Sequence, residues 1–286
     1  MLTEQICREI GLQPEVTQTV LVTDRELEQA DFFEQNKEAI CMLGRRDTWD
    51  LGLSHLQESL APDERGFKIL TVMLRMLCRT KEVYREKGIS DEIFCATMGC
   101  FARFIGEHRT SYGVYGFDRA FWTPRQLSVQ LFRLGELEYE LNEEKGMRII
   151  SIHIPSDAVL TEEKCRASYE QACAFIDRYF PEWKGLPFGC NSWLLAPGLQ
   201  QVLPENSNII RFQKGFEITR VDEDSKEYLE WVYKRSDIPY DELPENTSLQ
   251  RNMKHYLLQG GKIGEADGIL KSDEWNHASD IREETE

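Results

Sequence analysis

The residues of this chain specify an all-helical N-terminal domain followed by a domain of mixed strands and helices, of α+β or α/β class. Apolar residues recur at three- and four-residue intervals through roughly the first 120 positions, and from Gln126 to Pro155 they alternate with polar ones instead. Between the two regimes lies GEHRTSYGVYGFDRAFWTPR at 106–125, rich in glycine and aromatics and closed by Pro124. The expected domains are 1–118 and 119–270, with 271–286 a polar, acidic, solvated tail.

In the helical part, Phe67, Leu70, Leu74 and Leu77 set a helix over 64–87, with Gly88 as the C′ glycine that ends it. Ser90 offers the next N-cap, and Asp91 and Glu92 put negative charge in the first turn. Phe94, Met98, Phe101 and Ile105 form the following stripe, so the two helices are expected to pack as an antiparallel hairpin. His108 reads as a capping or surface residue, and Phe121 and Trp122 as packing at the domain seam.

In the second part, Leu137, Tyr139 and Leu141 share one strand face, and Glu136, Glu138 and Glu140 share the other, whose plain reading is a solvated face. Phe132 and Leu134 are out of phase with that set, and Gly135 at the change reads as a bulge. The turn NEEKG leads into RIISIHIP, where Ile150, Ile152 and Ile154 alternate with Ile149, Ser151 and His153, completing a hairpin. Thr161 caps a helix whose stripe is Cys165, Tyr169, Ala172, Cys173, Ile176 and Phe180, and FGCNSWLLAP at 188–197 reads as a buried strand. Strand, helix and strand make a βαβ unit, parallel and right-handed. A short helical turn in LQQVLP precedes a strand pair over Ile209 to Val221, broken at Gly215. Helices follow in KEYLEWVYKR and from near Asn246, the second carrying Leu249, Met253, Tyr256 and Leu257 on one face and ending at Gly260-Gly261. His255 falls on its polar side.

Composition narrows the function. A chain of 286 residues with 41% apolar content buries roughly 70–75% of its unfolded surface. Its 50 acidic and 34 basic residues give a net charge of −16, and no basic patch offsets that field, so nucleic acid is not an expected partner. The eight cysteines, Cys7, Cys41, Cys78, Cys95, Cys100, Cys165, Cys173 and Cys190, show no CxxC pair and no nearby histidine at ligand spacing. No metal and no disulfide framework is expected. The start MLTEQICREIG lacks a basic region followed by an apolar run, and no stretch nears the ~20 apolar residues of a membrane span. A cytoplasmic location is the expectation.

Five motifs carry a family resemblance: LFRLGELEYE at 131–140, IHIP at 152–155, NSWLL at 191–195, SNIIRFQKGF at 207–216 and LPENTSLQR at 243–251. The chain is similar to bacterial acyltransferases that join a helical N-acyltransferase N-terminal domain to a GNAT-like C-terminal domain. The resemblance implies acyl transfer from a pantetheine thioester, acyl-CoA or acyl-carrier protein, to an amine-type small-molecule acceptor, with no tightly bound cofactor. RIISIHIP and FGCNSWLL would be the two splayed strands whose exposed backbone pairs with the pantetheine amides. Two departures stand out. The loop PSDAVLTEEKC has no glycine, and Asp157, Glu162 and Glu163 oppose a diphosphate, so weak affinity for acetyl-CoA is expected. Asn191 stands where the family carries histidine.

Within this scheme His153 is the expected base, because histidine titrates near neutral pH and it is the only one on the two strands; a structural histidine is the competing reading. Ser192 is the expected donor to the oxyanion or leaving sulfur, and Glu138 the alternative base, with Ser151, Cys190 and Asn191 lining the substrate. Cys190 lacks a basic partner and reads as a buried thiol, not a nucleophile. Arg211 and Gln213 bracket Phe212 and bind a carboxylate or phosphate, or else cap the sheet edge. The competing class is a catalytically silent module that holds an acyl or peptide ligand on the same scaffold or docks a partner protein.

Overall fold

The apolar periodicity of the first hundred residues resolves into helices set around one buried member. In order they are α1 (Leu2–Glu9), α2 (Pro14–Gln29), α3 (Phe32–Gln35), α4 (Lys37–Met42), α5 (Trp49–Leu60), α6 (Phe67–Glu86), α7 (Asp91–Met98), α8 (Cys100–Tyr112) and α9 (Pro124–Leu127). The computed structural model describes residues 2–144, 146–234 and 238–275. It divides into two units, Met1–Phe132 and Arg133–Glu286.

α6 is the helix expected over 64–87, and it is apolar around most of its circumference. Leu70, Met73, Leu74 and Leu77 are fully buried, with α1, α2, α5, α7 and α9 packed around them. Asp63 accepts from the backbone N–H groups of Lys68 and Ile69 at 3.1 and 2.9 Å, capping α6 from outside it. Gly88 closes the helix at φ +72°, and Ser90 Oγ caps α7 by accepting from the Ile93 N–H. The helix expected from Ser90 through Ile105 is two, α7 and α8, separated at Gly99, whose residue type is a poor interior helix former.

The glycine- and aromatic-rich interval does not separate the units. Phe117 stacks on Phe101 at 5.7 Å and donates its N–H to the Arg65 carbonyl, and Thr80 Oγ1 donates to the Leu127 carbonyl at 3.1 Å. These contacts hold 115–129 on the helices, and the division falls after Phe132. Phe121 is exposed.

The second unit centres on a six-stranded mixed sheet. Where one bulged strand was expected over 131–141, there are two, β1 (Leu131–Leu134) and β2 (Leu137–Glu144), joined by a tight turn at Gly135-Glu136. Gly135 takes φ +70° against Ser168 of α10 (Glu162–Tyr179), so the phase change is a reversal of the chain. β2 pairs antiparallel with β3 (Met147–His153), and β3 pairs parallel with β4 (Phe188–Ser192) across α10, the expected hairpin and βαβ unit. Thr161 sits at the N-cap of α10 but its hydroxyl makes no capping bond.

Ile209 to Lys214 is helical, inside α11 (Asn208–Lys214), where a strand was expected. Ser207 Oγ accepts from the Ile210 N–H, and Ile210, Phe212 and Gln213 bury one helical face. Only the remainder, β5 (Phe216–Asp222), is strand. Within the segment expected to be helical after Ser225, Leu229–Tyr233 form one turn of π-helix, and α12 (Ser248–Leu258) begins at a Thr247–Gln250 capping box. β6 (Glu265–Leu270), unread from the sequence, inserts antiparallel between β4 and β5, giving the order β1-β2-β3-β4-β6-β5. The expected tail lies outside the described residues from 276 onward. No helix among the described residues is long and apolar enough to cross a membrane.

Two tests address the helical unit. Gly66 takes φ +67° at the start of α6, and a β-carbon there would overlap the Phe117 carbonyl. Gly66→Ala is therefore expected to cost roughly 2–4 kcal/mol through strain and collision, read as a lowered urea midpoint. The buried ammonium of Lys81 lies 2.6 Å from Glu9 and 3.6 Å from Asp91, and its bond holds the Glu9 carboxyl below the usual value of 4.5. A depressed carboxyl stabilises the fold above its unfolded pKa and loses that contribution as pH falls through the folded one. The stability gap between wild type and Glu9→Gln should thus be full near neutral pH and close progressively below about pH 4.5 in denaturation series.

Candidate active site

β3 and β4 run together for only two residues. Their parallel register matches Ile150 with Phe188 and Ser151 with Gly189, and it stops there, although β3 continues to His153 and β4 to Ser192. Each strand is held beyond that point by its other neighbour. β3 stays on β2 as far as the pair Glu138 and His153, and β4 stays on β6 as far as the pair Ser192 and Ala266. The strands therefore part, with His153 on one lip of the opening and Asn191 and Ser192 on the other.

Strand alternation sorts side chains onto two faces. Leu137, Tyr139, Leu141, Ile150 and Ile152 are buried on the α10 side, where the Tyr139 hydroxyl meets Ser168 Oγ at 2.9 Å and Phe188 packs edge-on to Tyr139. Ser168 also accepts from the Leu137 N–H at 3.2 Å and donates to the Leu134 carbonyl, which ties α10 to the turn between β1 and β2. The opposite face carries Glu138, Glu140 and Asn142 of β2 beside His153, Ser151 and Ile149 of β3, matched in register.

That face is polar yet not solvated. Glu138 and Glu140 are only 2% and 3% exposed, which overturns the expected solvent-facing carboxylates. Glu140 Oε2 lies 2.9 Å from His153 Nε2, and the Asn142 amide donates to Ser151 Oγ at 3.3 Å. A carboxylate buried this deeply requires hydrogen-bonded or charged partners, and the imidazole supplies one. Across the opening, the Asn191 amide donates to Asp267 of β6 at 2.6 Å, and Asp267 faces Arg220 at 3.5 Å.

Comparison with protein families matches residues 1–129 to the N-acyltransferase N-terminal domain and residues 131–270 to the GNAT-like C-terminal domain. The chain belongs to this two-domain N-acyltransferase family. Solved structures agree. A crystal structure of an acyltransferase in complex with decanoyl-CoA and teicoplanin superposes with a TM-score of 0.80 at 26% identity, covering 93% of this chain and 86% of that one. An acyltransferase mutant in complex with octanoyl-CoA gives 0.79 at 25% identity over the same shares. A third, in complex with CoA and 10C-teicoplanin, shares the fold with a TM-score of 0.67 at 24% identity, over 95% of this chain and 99% of that one. No curated protein has significant sequence similarity to the chain.

In this chain the sheet gathers His153, Glu138, Ser151 and Asn191 on one face and adds Glu140 and Asp267. Glu140 was missed because three alternating acids look alike until their cross-strand neighbours are known. Ser192 ends β4, and its Oγ accepts from the Leu194 N–H at 3.1 Å, fixing the turn that follows. Cys190 points to the α10 side, fully buried. Arg211 and Gln213 lie on α11 and not on a strand. Gln213 is buried and donates to the carbonyls of Leu194 and Ala196 at 2.9 and 3.0 Å, bracing the same turn, and Arg211 is exposed. A cavity of about 420 Å³, lined by Leu195, Leu203, Ile210, Gln213 and Ile218 among others, adjoins that turn.

Burial pushes the Cys190 thiol far above its ordinary range, with Asp267 adding to the shift, so it stays protonated at neutral pH. Iodoacetamide on the native protein should modify exposed Cys41 and spare Cys190, with Cys190 reacting only after denaturation; mass spectrometry of the digested protein reads both.

Proposed function

We propose that this chain transfers an acyl group from a pantetheine thioester, acyl-CoA or acyl-carrier protein, to an amine-type acceptor by direct attack, acting in the cytoplasm. The observation that carries the reading is the opening between β3 and β4 with the His153–Glu140 pair on its lip. An extended pantetheine has two amides and can enter such an opening as a short extra strand, pairing with backbone on either side.

With the thioester carbonyl held there, the acceptor nitrogen forms the new C–N bond at the carbonyl carbon and gives its proton to His153. The tetrahedral oxyanion then collapses, the C–S bond breaks, and the thiolate leaves and takes up a proton as free thiol. Glu140 accepts the Nε2–H, so in the neutral ring the lone pair lies on Nδ1. Glu140 also stabilises the imidazolium that forms. The Ser192 hydroxyl at the end of β4, whose oxygen accepts from the Leu194 N–H, is the donor in this reading for the oxyanion or the leaving sulfur. Glu138, opposite His153 in register, is the second carboxylate of the site, and Ser151 and Asn191 line it.

Related structures hold decanoyl-CoA together with teicoplanin, and octanoyl-CoA. Carried over to this chain, they support a medium-length acyl donor and an acceptor of the kind bound there. The acidic loop before α10 is the feature that favours a silent binding module as second reading.

A series of acyl-CoA thioesters of increasing chain length, incubated with candidate acceptors and followed by free-thiol release, separates the two; a module without activity releases none. In the active case His153→Ala should lower kcat/KM by roughly 10²–10⁴-fold with the fold intact, and a loss under about threefold would remove it from the mechanism. Glu140→Gln should lower kcat while leaving KM for the acyl donor unchanged, as befits a residue that positions the base.

A further inference from the structure

We infer, resting on the acyl-transfer reading, that Glu136 occupies the place a donor phosphate would take at the start of α10, so the acyl donor is recognised through its pantetheine and acyl portions without its nucleotide. The anion-binding capacity of such a site comes from backbone N–H groups in the loop after the first splayed strand and in the first turn of the helix, with nearby cations adding to it. Here the loop N–H groups of Ala158, Val159 and Thr161 are already in use.

The Val159 N–H donates to Glu136 Oε2 at 2.8 Å, the Ala158 N–H to the Pro155 carbonyl at 2.9 Å, and the Thr161 N–H to the Val159 carbonyl at 2.9 Å. Lys164 Nζ lies 2.7 Å from the other Glu136 oxygen. Arg133 Nη1 lies 2.8 and 2.9 Å from the two oxygens of Asp157, and Arg166 lies 3.0 Å from Glu162. Arg133, Lys164 and Arg166 thus each hold a carboxylate of the chain itself, and Glu163 adds a further negative charge. A diphosphate arriving here would meet like charge and would have to displace an internal ion pair.

The fold builds this arrangement rigidly. Gly135 brings the β1–β2 turn so close to Ser168 and Gln171 that an added β-carbon would sit 3.3 Å from both side chains. Ser168 clamps the turn through Leu134 and Leu137, so Glu136 has one direction to point, toward α10's first turn. Lys164 and the Val159 N–H hold its carboxyl below the ordinary range, so it is ionised at neutral pH. Asp157, Glu162 and Glu163 alone would only weaken a diphosphate site; Glu136 fills it.

The test compares three donors of one acyl length on the wild-type protein: octanoyl-CoA, octanoyl-4′-phosphopantetheine and octanoyl-pantetheine. Their kcat/KM values should agree within tenfold, and a loss above tenfold on removing the nucleotide would overturn the inference. Calorimetry of CoA and pantetheine gives the same comparison without turnover. If no donor is turned over, the acyl-transfer reading falls, and the binding ratio still decides the present point. Glu136→Gln should tighten CoA about three- to tenfold and leave octanoyl-pantetheine unchanged. An unchanged or weaker CoA affinity in a folded variant would show that Glu136 does not fill the phosphate position. The wild-type comparison stands even if that variant misfolds.

Discussion

Two residue pairs of parallel ladder, Ile150 with Phe188 and Ser151 with Gly189, join β3 to β4, and the chemistry of the second unit depends on the ladder ending there. A sheet normally pairs its strands along their shared length, because an unpaired backbone group away from water costs free energy. Here each strand has a second partner that carries it past the point of separation, β2 for one and β6 for the other. The opening is therefore held by the sheet itself. β6 is essential to it: a strand near the end of the described chain returns to pair with β4, and without it β4 would be free to close onto β3.

A gap in a sheet is not yet a site; the polar face gives it chemistry. Charged groups are almost never buried unless they are paired, so two glutamates within three residues of one strand, both under 5% exposed, are held by the groups around them. The His153–Glu140 bond holds the imidazole at the lip of the opening. On the reverse face, Tyr139, Phe188 and Cys190 pack under α10 with no ionised group among them. One strand alternation thus separates a reactive face from an inert one. Cys190 is inert because its neighbours are apolar, and the same residue one position along β4 would face the polar side.

Much of the fold was legible because it rests on local signals. The α6 stripe, the Gly88 stop, the Ser90 cap, the β2–β3 hairpin and the βαβ crossover all follow from period and punctuation. NIIRFQK has the β-branched run of a strand, but it is short, and short apolar runs do not declare their period. Ser207 at its head, which caps the helix, was the available signal. EADGIL reads poorly as a strand because Asp267 and Gly268 are unfavourable there, and it is held by neighbours on both sides instead. The interval 106–125 has the composition of a linker, yet Phe117 within it and Leu127 just beyond it hold this part of the chain on the helices through contacts far apart in sequence.

Glu136, Glu138 and Glu140 show where the candidate site passed beyond sequence reasoning. Periodicity places all three on one face, and composition calls that face solvated. In the structure they have three different settings, each decided by a residue distant in sequence. Glu136 leaves the alternation because the turn at Gly135 precedes β2, and it swings to Lys164 on α10. Glu138 stays in phase and lies opposite His153 in the register. Glu140 is also in phase, and the diagonal reach of its side chain brings it to 2.9 Å from His153 Nε2. A strand pattern fixes which face a carboxylate takes. What that carboxylate does there depends on the element that arrives later in the chain, so the same residue type at the same spacing yields a turn anchor, a buried partner and the support of a base.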